Sequence, residues 1–201
     1  MAKLVEIEIH GELLQKACAG DEVAQAAIYT ATAPATFGLI RRLMANRAMA
    51  EDVFQDTMMT LFQRLPDFRG EAPLGAWLRQ IAISKCLMLL RSPWHRARLQ
   101  LGNDGDGDFA PGFGALVTPA PTVEGFDIER ALASLSPTAR AVVWLYEVEG
   151  YSHEEIGRQF GRSTSFSKSQ LARAHAKLRA WFEPNESRQA CTSIQSSGKV
   201  L

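Results

Sequence analysis

The stretch "SHEEIGRQFGRSTSFSKSQLARAHAKLRAWF", residues 152–182, decides how this chain is read. Ser152 with Glu155 three residues later forms a capping box that starts a helix, and Gly161 suits the left-handed turn that ends one. A second helical run follows at once, so helices near 152–159 and 163–182 meet across "FGRS" with the short glycine turn of a helix-turn-helix. Gly157, in mid-helix, costs helix stability but lets the second helix approach closely. At 100° per residue, Leu171, Ala174, Leu178 and Trp181 fall on the core side of the second helix. Ser165, Ser169, Ala172, Arg173 and Ala176 fall opposite, with Lys168 and Gln170 on the flanks. Small residues let a helix backbone sit deep in a major groove, Gln and Arg read base edges, and Lys, Arg and Ser hold phosphates. Residues 160–182 contain five cations, four serines and no acid, which suits a DNA-reading face that also includes Arg162. Ser167 projects toward the core and Phe166 away from it. A locally shifted helix start that packs Phe166 is preferred here over contact with a thymine methyl.

Working outward, Ser136-Pro137 places an N-cap before a proline at the first helical position, and helices are expected at 126–134 and 137–148. Before them, "GNDGDGDFAPGFGALVTPAPTVEG" has no helical or strand period and reads as a flexible linker. Its Asp104, Asp106 and Asp108 do not make a calcium loop, because Phe109 and Ala115 stand where that loop needs Gly and Glu. The first half reads as helices at 11–19, 21–33, 35–47, 50–65 and 74–91, with Asp21 and Pro34 as punctuation and "LPDFRGEAP" as a loop. The expectation is an all-α protein of two small helical domains joined by a flexible linker. Its parts are an N-terminal arm at 1–10, a helical bundle at 11–101, a linker at 102–124, a helix-turn-helix domain at 125–183 and a disordered tail at 184–201. Val5, Ile7 and Ile9 alternate with Glu6 and Glu8 as in a strand, yet no partner strand is visible, so the arm reads as mobile.

The 201 residues are 46% hydrophobic and 22% charged, with a net charge of zero. That total hides segregation: there is no acid from Ala72 to Asn103 or from Ile156 to Phe182. Two separate basic surfaces suggest a polyanion touched twice. The unbroken apolar runs are far below the ~20 residues of a membrane span, and Glu6, Glu8 and Glu12 interrupt any signal peptide. A cytoplasmic protein without membrane insertion is expected. Three scattered cysteines, Cys18, Cys86 and Cys191, indicate neither a disulfide frame nor a zinc site. His10, His95, His153 and His175 sit apart from any Ser or Cys partner, and no glycine-rich phosphate loop follows a strand. The residues therefore suggest no catalytic site, metal or cofactor.

The order "LLQKACAGDEVAQAAIY", "AEDVFQDTMMTLFQRL", "FRGEAPLGAWLRQIAISKCLMLLR", a Pro/Gly/acid linker and "LASLSPTARAVVWLYEVEGYSHEEIGRQFGRSTSFSKSQLARAHAKLR" resembles a bacterial extracytoplasmic-function sigma factor of the sigma-70 family. The likeness runs from Leu13 to Phe182. It implies a dissociable subunit of RNA polymerase whose first domain (region 2) binds the core enzyme and opens the −10 element, and whose second (region 4) reads the −35 element. By the same resemblance Glu51, Asp52, Gln55 and Asp56 dock on core polymerase. Phe68 and Arg69 stand in the loop that holds an extruded −10 base. Ser84, Lys85, Met88 and Arg91 lie on the strand-separating helix, and Arg162, Ser165, Lys168, Ser169, Gln170 and Arg173 contact the −35 element. The implied partners are core RNA polymerase, promoter DNA and an anti-sigma factor.

On the strand-separating helix three positions depart from the family: Ser84 replaces a usual Asn, Met88 a usual Asp and Ile83 a usual basic residue. Gln170 replaces a usual Arg, and Gln favours adenine where Arg favours guanine. These departures leave open a sigma-like decoy that binds polymerase or an anti-sigma factor without initiating. A stand-alone helix-turn-helix regulator is the other alternative, although the chain lacks the alternating strands of a receiver domain.

Overall fold

The computed structural model describes residues 4–44, 46–92 and 123–182. Residues 102–122 of the linker expected at 102–124, the tail at 184–201, Arg96, Arg98 and the Asp104–Asp108 series lie outside these residues, and Val123 and Glu124 instead begin a helix. Among the described residues every regular element is helical. The first domain contains α1 (Gly11–Cys18), α2 (Glu22–Leu43), α3 (Arg47–Arg64) and α4 (Leu74–Arg91). The second contains α5 (Val123–Ala133), α6 (Pro137–Val143) followed by a π turn (Trp144–Val148), α7 (His153–Phe160) and α8 (Thr164–Phe182).

Pro34 does not separate two helices; it lies inside α2. A proline in a helix interior costs about 3 kcal/mol or more. Burial on both sides of it offsets that cost, since Ile28, Thr32, Thr36, Leu39 and Ile40 all face the core. The Thr32 and Thr36 hydroxyls donate back to the carbonyls of Ile28 and Thr32, both at 2.8 Å, so their burial leaves no unpaired donor. By length and hydropathy alone α2 could cross a membrane. Its buried stripe instead packs on α1, α3 and α4, the arrangement of a core helix. α3 begins earlier than expected because the Asn46 side chain accepts from the Met49 N–H at 3.0 Å.

The N-terminal segment is docked rather than mobile. Leu4–Glu6 forms a 3-10 turn with Leu4 only 4% exposed, and Ile7 and Ile9 pack against the core. Gly75 in α4 makes this possible: a Cβ there would stand 1.8 Å from the Leu4 carbonyl oxygen. Ile83 is fully buried, so this departure from the family pattern belongs to the core and not to a DNA-facing surface. Cys86 is buried beside it, and burial pushes its thiol up from 9.0 to about 12.

The two domains touch. Arg79 of α4 donates from Nε to Glu149 Oε2 and from Nη2 to the Glu149 carbonyl, each at 2.6 Å, and its guanidinium lies 5.0 Å from the Tyr151 ring centroid. Arg140 of α6, 8% exposed, donates to the Arg42 carbonyl at 2.7 Å. That carbonyl belongs to the last turn of α2, where a cation also meets the negative end of the helix dipole. Burial lowers the Arg140 guanidinium to about 10, still protonated at neutral pH. Arg42 in turn covers Trp144 at 5.1 Å.

Candidate nucleic-acid interface

The helix-turn-helix is assembled by a few local devices. Ser152 donates from its N–H and its hydroxyl to Glu155 Oε2, both at 2.8 Å, closing the capping box and holding the Glu155 carboxyl below its ordinary range. Gly161 ends α7 at φ 62°. At Gly157 a Cβ would stand 3.0 Å from the carbonyl oxygens of Arg162 and Ser163, so the bare backbone there lets the turn fold down on α7. Ser167 is completely buried and shares a 3.0 Å hydrogen bond with His153 Nδ1. His153 also stacks on Tyr146 with ring centroids 4.3 Å apart. This histidine, which the sequence reading set apart from any Ser partner, is half-buried and through Ser167 helps fasten the two helices.

The projection of α8 places most side chains correctly. Leu171 and Ala174 are buried and Leu178 is half-buried. Phe166 packs on Phe160 at 5.6 Å, which accounts for its position without a base contact. Trp181 is the exception: it is 37% exposed near the end of the helix and pairs with Phe182 at 5.2 Å. Arg162, Ser165, Lys168, Ser169 and Arg173 are exposed and Gln170 is half-buried. Ser169 donates to the Phe166 carbonyl at 3.0 Å and Arg173 to the Ser169 carbonyl at 3.3 Å. The outer face of α8 is thus cationic and built on small residues.

On the first domain, Ser84, Lys85 and Met88 line one groove with Thr60, Arg64, Trp77 and Gln80. Trp77 is half-buried. It is covered by Phe68 at 5.0 Å and by the Arg64 guanidinium at 5.8 Å. Arg69 is exposed, 3.9 Å from Glu71. Met88 is 56% exposed, so the groove combines aromatic, cationic and apolar surface of the kind that stacks unpaired bases. Glu51, Asp52, Gln55 and Asp56 lie on α3. Glu51 pairs with Arg47 at 2.7 Å and Asp56 approaches Lys85 at 4.0 Å. Sequence reasoning did not identify Arg64 as a groove residue. α3 and α4 supply the rest of the lining, and Gln159 of α7, from the other domain, completes it.

Comparison with known proteins matches residues 28–96 to sigma-70 region 2 and residues 126–178 to sigma-70 region 4. The RNA polymerase sigma factor CnrH of Cupriavidus metallidurans is 30% identical over 80% of this chain and 84% of its own length. The chain belongs to the sigma-70 family, in its extracytoplasmic-function group. It is also 28% identical to a probable RNA polymerase sigma factor, RfaY, of Xanthomonas campestris pv. campestris, over 89% of this chain. The chain spans 45% of that relative's length. Among solved structures, the sigma factor RpoE of Bartonella quintana, crystallised with the anti-sigma factor NepR, matches with a TM-score of 0.53. That match has 24% identity and covers 80% of this chain and 97% of RpoE. The α1–α4 bundle therefore contains region 2, and α5–α8 contain region 4.

Proposed function

We propose that this chain is an alternative sigma factor, which binds core RNA polymerase and directs promoter-specific initiation by recognising −35 and −10 elements. The observation that carries the proposal is that one chain holds both sigma regions in order, each with a surface suited to its DNA target. In region 4 that surface is the outer face of α8, where Lys168, Ser169, Gln170 and Arg173 meet the major groove and Arg162 and Ser165 meet phosphates. In region 2 it is the groove of Ser84, Lys85 and Met88, with Arg91 at its end and Phe68 and Arg69 nearby for an extruded base. Glu51, Asp52, Gln55 and Asp56 dock on core polymerase. The protein works by binding rather than by catalysis, in the cytoplasm, and an anti-sigma factor is its regulatory partner. Neither small DNA face offers more than a modest contact area. Polymerase makes the two contacts cooperate by fixing the distance between them.

The test is assembly followed by initiation. The chain should co-elute with purified core polymerase, and the complex should start discrete transcripts on fragmented genomic DNA that core alone does not. Co-elution without transcripts would make it a decoy.

A further inference from the structure

We infer that Glu147 caps the attraction of region 4 for the DNA backbone: it places a negative charge on the phosphate-facing flank of α8, so that the base-reading residues decide where the helix stays. The inference rests on the sigma reading, which assigns α8 to the −35 duplex.

Residues 156–182 contain acids only at the outset of the chain that precedes them and none among themselves, yet the fold brings one to α8 from outside. Glu147 belongs to the π turn Trp144–Val148, and its Oε1 lies 3.0 Å from Nε2 of His175 on α8. The turn is closed by the Glu149 N–H donating to the Trp144 carbonyl at 3.1 Å, a five-residue step that admits one residue more than an α-helical turn. Two adjacent side chains of this turn thereby meet both helices of the helix-turn-helix, Tyr146 stacking on His153 of α7 and Glu147 meeting His175 of α8.

At 100° per residue His175 shares one flank of α8 with Lys168 and Arg179, beside Ala172 and Ala176 of the outer face. All five are exposed. A helix in the major groove turns its outer face to the bases and its flanks to the phosphates, and the two alanines let this one sit deep. At ~1.5 Å per residue, Arg179 and Lys168 stand about 6 Å and 10 Å from His175 along the axis. Both distances lie within about one Debye length at 0.1 M salt, roughly 10 Å. The Glu147 side chain is 45% exposed, so its carboxylate is open to an approaching phosphate. Whether or not the imidazole is protonated, that carboxylate lowers the charge of the flank by one.

Non-specific binding to duplex is almost wholly a phosphate effect, whereas a specific complex adds contacts at base edges. The charge of Glu147 subtracts from the first and leaves Gln170 and Arg173 unchanged. Most duplex that a promoter-seeking protein meets is non-specific, and a weaker backbone term keeps α8 from lingering there.

The outer face of α8 is exposed in the free chain, so the full chain can be titrated against a labelled random-sequence duplex of about 20 base pairs, from ~0.05 to 0.2 M salt. Glu147→Gln should bind at least about threefold tighter at the lowest salt, with a salt slope steeper by about 0.9, as for one further phosphate neutralised. Glu147→Asp retains the charge and should stay close to wild type. Circular dichroism confirms that each variant is folded, and Glu147→Ala serves if the Gln variant is not. A Glu147→Gln variant that binds no tighter, with an unchanged slope, would overturn the inference, because Glu147 would then only brace the π turn against α8. An Asp variant that tightens as much as the Gln variant would overturn it too, since geometry and not charge would be the cause. Duplex titration needs neither promoter nor polymerase: run-off transcripts without tighter binding by Glu147→Gln would remove the cap alone, and tighter binding without transcripts would remove the sigma reading alone.

Discussion

Asp56 Oδ2 lies 4.0 Å from Lys85 Nζ, joining a residue proposed to dock on polymerase to one proposed to hold DNA. The aspartate is 66% exposed and the lysine 27%, so the pair contributes little to stability, within about 1 kcal/mol. Its role is positional, keeping the Lys85 ammonium at the groove wall. Asp56→Asn should leave the urea midpoint nearly unchanged while altering the salt dependence of single-stranded DNA binding. A loss of several kcal/mol in stability would contradict this.

Ser167 and His153 fasten α7 to α8 from within. Ser167→Ala leaves the His153 Nδ1 position without its partner, at an expected cost of about 1–3 kcal/mol. Denaturant titration of the full chain checks the value, and −35 duplex binding should weaken with it because the angle of α8 is no longer held.

Gly157 faces the backbone carbonyls of Arg162 and Ser163, each 3.0 Å from where a Cβ would lie, so a methyl there would have to push the turn aside. Gly157→Ala gains helix propensity, but the overpacking should outweigh that gain and cost about 1–3 kcal/mol. A thermal melt that is unchanged or raised would show that the turn has room to give.

Gly75→Ala should expel the N-terminal segment from α4, because the Leu4 carbonyl occupies the space of the new methyl. Hydrogen exchange at residues 4–9 should accelerate to rates near those of an unfolded peptide, while α2 and α4 remain protected.

The buried Cys86 thiol gives a pH dependence with a definite sign. Its proton is held to about pH 12 in the folded chain and lost near pH 9.0 in the unfolded one. The stability it contributes is complete below the unfolded value and is lost as pH rises through this window. Denaturant midpoints measured from about pH 8 to pH 10 should fall more steeply for wild type than for Cys86→Ala. The same burial should keep Cys86 unreactive toward thiol reagents until the domain unfolds.

The second domain was the more legible in sequence, because its devices are local. The Ser152–Glu155 box, Ser136-Pro137, Gly157 and Gly161 each act within a few residues, and each stands where the sequence places it. In the first domain, tertiary packing overrode a local signal at Pro34, and at Asn46 the N-cap went unread. The arm was misjudged because Leu4 docks on a glycine 71 positions away along the chain, which no periodicity reveals. Trp181 was misplaced because a helical wheel does not show where the domain beneath it ends. The groove was partly legible through its helix, but Gln159 reaches it only by the approach of the two domains. The Arg79–Glu149 pair joins residues 70 apart, one of them following a π turn that reads in sequence as ordinary helix.

Run-off transcription with core polymerase and fragmented DNA from the source genome, comparing wild type with Arg173→Ala, tests the central claim most directly. The account predicts discrete wild-type transcripts whose upstream sequences share a −35 element. It also predicts their loss with Arg173→Ala while the variant still co-elutes with core. Wild-type transcripts no different from those of core alone, or an unchanged set with Arg173→Ala, would contradict it.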